Sequence, residues 1–138
     1  MSYAGYGGVV GVKLVCALAA LSWATLASAD DAYSHCLDSS ATNLEWGECG
    51  EALLDRLEAA LNTAWKGAKA SVDQQTQKDL LAEQRAWLKF RDSSCRFWGN
   101  GSYGRDGQVL YSIQCRAEIT KTRISDLNKI REFMREHD

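Results

Sequence analysis

The chain has 138 residues, 18 acidic and 16 basic, for a net charge of −2. That length suits one small domain, and a near-neutral balance without a basic block argues against nucleic acid as a partner. Proline is absent, so nothing in the sequence forces a break in a helix.

Residues 1–29 read as a secretory signal peptide outside the fold. Lys13 is the one charge before a run of apolar and small residues from Leu14 to Leu26, and Ala27-Ser28-Ala29 forms a small-x-small cleavage signal. At about 13 residues the run is shorter than the ~20 needed to span a bilayer. Cys16 follows Val15 and precedes most of the run, the wrong place for a lipidated cysteine. The expectation is an exported protein, periplasmic or secreted, with no membrane anchor after cleavage and one domain over 30–138. Without Lys13 that domain holds 15 basic and 18 acidic residues, a net charge of −3, which favours a cationic partner weakly.

Residues 30–41 show no periodicity and read as irregular, tethered by Cys36. A helix follows over roughly 43–69. Thr42 and Glu45 have capping-box spacing, and Leu53, Leu54, Leu57, Leu61, Ala64, Trp65 and Ala68 form an apolar stripe. Ser71-Val-Asp-Gln74 offers a second capping box. The helix it starts carries Leu80, Leu81, Gln84, Trp87, Leu88, Arg91 and Cys95 on one broad face and stops at Gly99-Asn100-Gly101. So short a connection makes the two helices an antiparallel hairpin. After the glycine-rich run 99–107, a third helix over roughly 108–135 repeats Leu110, Ile113, Ala117, Thr120, Ile124, Leu127 and Met134. The fold class is all-α: a small, disulfide-stapled three-helix domain.

Four cysteines remain after the leader: Cys36, Cys49, Cys95 and Cys115. An even count behind an export signal reads as two disulfides. Local loop closure favours Cys36–Cys49 with Cys95–Cys115, while heights along the hairpin leave Cys49–Cys95 with Cys36–Cys115 open. A zinc site would want a C-x2-C pair, which is lacking, and His35 and His137 lie near the two ends of the domain. No metal or other cofactor is expected.

The run "QRAWLKFRDSSC", residues 84–95, concentrates charge, an aromatic ring and a thiol. Gln84, Trp87, Leu88, Arg91 and Cys95 share one helical face that must meet the other helices. Arg91 is therefore expected to be buried and to need an acceptor, with Glu45, Glu48 and Glu51 as candidates. Asp92 is expected to meet Arg116 or Arg123. Glu45, Gln84, Arg91, Asp92 and Arg123 thus form a candidate structural network that fixes helix register. Trp65 and Trp87 belong to the core. Trp46 and Trp98 flank cysteines and either cover the disulfides or mark a contact surface. Neither histidine falls where a nucleophile-base pair could form, so no enzymatic activity is expected. Tyr103, Arg105 and Asp106 make the glycine-rich loop the candidate recognition loop; Asn100-Gly-Ser102 in it also matches a glycosylation sequon.

The order of these motifs carries a resemblance. Cys36, "ATNLEWGEC" with Thr42, Glu45 and Cys49, "LLDRLEAALNTAW", "QRAWLKFRDSSC", Cys115, Thr120, Arg123 and Leu127 together resemble the exported domains named after the lysozyme inhibitor LprI. The likeness spans about 36–127. It implies a small exported domain that binds a protein partner, lysozyme, and inhibits a lysozyme-type muramidase by non-covalent occlusion. A periplasmic structural or interaction domain with another envelope partner is the alternative.

Overall fold

The computed structural model describes residues 30–137, which are helical almost throughout, with no strand among them. The segment expected to be a signal peptide, including Cys16 and Trp23, lies outside the described residues. The first helix, α1, occupies 30–38, where the sequence predicts irregular chain. It is too short to show a period and is held by tertiary contacts. Tyr33 is buried, Cys36 and Leu37 pack on the core, and the Asp30 carboxylate sits 2.7 Å from Lys121 Nζ. Burial alone would lower the Lys121 pKa, but hydrogen bonds and charge from Asp30 and Glu118 outweigh it and raise it. The hydroxyls of Ser39 and Ser40 turn back onto the carbonyls of His35 and Cys36 and close the helix.

Helix α2 spans Asn43–Ala70. Thr42 caps it in extended conformation, and the reciprocal capping box with Glu45 is present. Helix α3 spans Gln74–Arg96. Its cap is Asp73, whose carboxylate accepts from the backbone N–H of Gln75 and Thr76 at 2.8 and 3.2 Å. Ser71, expected to start this helix, instead donates its hydroxyl to the Ala68 carbonyl and finishes α2. With three residues between the helices, Ser71 serves the outgoing end and Asp73 the incoming one.

Helix α4 spans Ser112–His137. It is entered through three short turns: a 3-10 turn Gly101–Tyr103, one helical turn Gly104–Asp106 and a π-type turn Gly107–Tyr111. The core lies mainly between α2 and α4. Leu53, Leu57, Leu61, Ala64 and Ala68 meet Ala117, Thr120, Ile124 and Leu127. Each fully buried leucine contributes about 2 kcal/mol from apolar burial. Small residues let these helices approach closely: a Cβ on Gly50 would sit 2.9 Å from the Ile113 side chain. The α3 face is different, because its buried residues are Gln84, Arg91 and Cys95.

Cys36 pairs with Cys49 and Cys95 with Cys115, at Cα separations of 5.8 and 5.5 Å. The first bond pins α1 to the start of α2. The second closes the segment between α3 and α4. Loops of 13 and 20 residues each remove about 3 kcal/mol of chain entropy from the unfolded state.

Candidate functional site

Two groups of side chains stand out, one inside the bundle and one on its surface. The inner group is centred on Trp87 of α3. Arg91 and Arg123 have their guanidinium carbons 5.3 and 5.7 Å from the Trp87 ring centre, within cation–π range. Both arginine side chains are 7% exposed, so each needs its donors filled. Arg91 pairs with Glu58 and, through Nε at 3.2 Å, with Asp92. Arg123 donates from Nε to Gln84 at 2.8 Å and pairs in bidentate fashion with Glu83. Every carboxylate in this set is part-exposed, which keeps its desolvation cost low while the guanidinium groups stay covered.

The network therefore gathers Gln84, Arg91, Asp92 and Arg123 but leaves out Glu45. Glu45 is exposed at the start of α2, where its carboxylate accepts from the backbone N–H of Ala41 and Thr42 at 2.8 and 2.9 Å. Those hydrogen bonds hold its pKa below the ordinary glutamate value. The acceptor for Arg91 is Glu58, lower on α2 than Glu45, Glu48 or Glu51. Helical side chains lean toward their own N-terminus, so in an antiparallel pair Arg91 and Glu58 lean toward each other. Asp92 pairs with its neighbour Arg91 and not with Arg116 or Arg123. Counting heights from backbone positions alone hid both partners.

The surface group lies where α3 gives way to α4. Phe97, Trp98, Tyr103 and Tyr111 are 53%, 36%, 36% and 46% exposed. Trp98 touches the other three at ring-centre distances of 5.2, 5.0 and 5.9 Å, and Phe97 meets Tyr103 at 5.1 Å. These are edge-on or tilted pairs, the arrangement aromatic quadrupoles favour. Helical turns and two glycines build the platform. Gly104 has φ of 62°, a left-handed value that a side chain would strain. A Cβ on Gly107 would lie 2.4 Å from Tyr103 Cβ and 2.6 Å from the Trp98 carbonyl oxygen. Ser112 N–H reaches back five residues to the Gly107 carbonyl, and π-type turns of this kind recur at functional sites. The Asn100 side chain accepts from Ser102 N–H at 2.9 Å and caps the first turn.

Tyr103, Arg105 and Asp106 are all exposed here. Arg105 donates to Gln108 at 3.2 Å. The neighbouring rings Phe97 and Tyr111 were not legible as partners, although an aromatic residue on each side of a glycine-rich run is a usable signal. Trp98 contributes a ring to the surface, whereas Trp46 is part-buried and its indole N–H faces the Ser40 carbonyl at 3.4 Å. Among the described residues no group of His, Cys, Asp and Glu is arranged to hold a metal ion, and no helix is long and apolar enough to cross a membrane.

A family model described as lysozyme inhibitor LprI matches residues 36–127. The chain belongs to the LprI family. The matched span takes in both disulfides, the Trp87 network and the whole aromatic platform. The comparison with curated proteins and the comparison with solved structures each found no match. LprI-family membership makes this protein a relative of inhibitors, and its stapled scaffold carries an exposed aromatic surface.

Proposed function

We propose that this protein is exported by cleavage of residues 1–29 and acts outside the cytoplasm as a non-covalent inhibitor of a lysozyme-type muramidase. The observation that carries this reading is the LprI family match over 36–127. Two disulfides support export, because such bonds persist in oxidising compartments. Inhibition would come from covering the muramidase cleft, with Tyr103, Arg105 and Asp106 as the contact set on the platform that Trp98 and Tyr111 extend. Aromatic side chains held rigid before binding lose little entropy on contact, which suits a small inhibitor.

The test is a turbidity assay of cell-wall lysis with purified, oxidised protein against representative lysozyme classes. Inhibition that Tyr103→Ala weakens, with the thermal melt unchanged, is the expected result. No inhibition of any class at micromolar protein would sink this reading, and capture of an envelope protein with no effect on lysis would assign the platform to that partner.

A further inference from the structure

Beside the aromatic platform, the first turns of α2 and the segment leading into α4 enclose a cleft of ≈ 410 Å³. Its lining includes Leu44, Gly47, Glu48, Glu51, Arg105 and Val109. Glu48 and Glu51 are exposed, and among the described residues neither enters an ion pair or a side-chain hydrogen bond. Glu45, one turn before Glu48, is engaged in the capping box, and Glu58, further along α2, pairs with Arg91. Glu48 and Glu51 stand three apart on one helix, so their charges repel. Both lie beyond the first turn of α2, too far along for the helix dipole to offset that repulsion. The one cation in the lining, Arg105, is hydrogen-bonded to Gln108, three residues on in its own segment.

The walls suit a particular guest. Leu44, 74% exposed, and Val109 offer apolar contact for an aliphatic stem, and two carboxylates await a charged head. Apolar wall and carboxylates select the same chemistry. We propose that this cleft receives a lysine or arginine side chain projecting from the surface of the partner protein. Resting on the inhibitor reading above, that partner is a cationic muramidase. The cleft then sets the orientation in which the platform docks and makes association faster at low salt.

The experiment has two arms. In the first, the purified protein is titrated with the peptide acetyl-Lys-Leu-Lys-amide and followed by amide NMR. Saturable shifts at Gly47, Glu48, Glu51 and Val109 that vanish in E48Q/E51Q are expected. Shifts spread over all acidic surfaces, or none, would overturn the proposal. In the second, inhibition of a cationic lysozyme is compared between the wild type, E48Q/E51Q and D79N/E136Q, which removes equal charge near the opposite end. The cleft variant should lose about fivefold to tenfold in affinity at low salt and the control little. Equal inhibition by the wild type and E48Q/E51Q would overturn the cleft while leaving the inhibitor reading intact. Peptide binding in the cleft, without inhibition of any lysozyme, would keep the cleft and sink the muramidase as its partner.

Discussion

The middle of α3 and its far end handle their conspicuous residues in opposite ways. In the middle, Arg91 is buried, and it meets Arg123 of α4 around Trp87, where both guanidinium groups have carboxylate partners. At the far end, Phe97 and Trp98 join Tyr103 and Tyr111 at the surface, packed on one another and part-exposed. A buried charge paired with carboxylates is accounted for by the fold. A cluster of part-exposed rings is not accounted for by the fold in the same way, because those rings would be better buried. The residues that look most reactive in the sequence hold the bundle together, and the modest residues after them form an exposed aromatic surface.

The Cys95–Cys115 bond joins the two regions, since Cys95 ends the buried face of α3 and the bridge closes the platform segment. Replacing both cysteines with alanine should cost about 3–4 kcal/mol in a chemical unfolding experiment. It should also erase near-UV circular dichroism from the ring cluster well before helix content falls. If ring signal and helix content melt together in the variant, the platform is not separately held and the contrast between the regions fails.

Arg91→Ala tests the inner region alone. It removes a buried guanidinium but leaves Glu58 and Asp92 able to hydrate, being 40% and 54% exposed. The expected loss is therefore about 2 kcal/mol, below the ~3–5 kcal/mol of a fully buried broken pair, and roughly 10 °C in Tm. Lysozyme inhibition, measured well below the new Tm, should be unchanged. A stable variant that has lost inhibition would mean that the network touches the partner.

How much of this was legible follows from what each feature depends on. Helices α2 and α4 announce themselves through long leucine and isoleucine stripes, and the Thr42 cap through its spacing to Glu45. Helix α1 does not, because Tyr33, Cys36 and Leu37 give too few apolar positions and its anchors are distant in sequence: Cys49 and Lys121. Burial of Arg91 follows from its helical face, but its pairing with Glu58 depends on how side chains lean across the hairpin. Tyr103 could be picked from its loop, yet the helical turns that carry it could not. The glycines there suggest reach, whereas Gly107 is small because Tyr103 and Trp98 press against it.

Gly107→Ala therefore probes the outer region. The added methyl would collide with backbone as well as side chain, so the turn must shift at a cost of about 1–2 kcal/mol. The rings should separate while the Trp87 network stays intact. Expected readouts are lost near-UV signal from the cluster, weakened inhibition and a small drop in Tm. A variant with native ring signal would show that the platform tolerates rearrangement and is not preorganised.

The smallest effect concerns the helix starts, which belong to neither region and serve as a baseline for both. Hydrogen bonds from the Thr76 hydroxyl and from the backbone N–H groups of Thr76 and Gln75 hold Asp73 below its ordinary pKa. Glu45 is lowered in the same way by Ala41 and Thr42. A carboxylate whose folded pKa is depressed binds protons more readily in the unfolded chain. Its contribution is complete above the unfolded pKa, near 4, and is lost as pH falls through the folded value. Thermal stability should thus decline on acidification below about pH 4, and Asp73→Asn should flatten part of that decline, because asparagine still caps but does not titrate. An acid limb unchanged by this substitution would show that the Asp73 cap does not set the acid sensitivity of the fold.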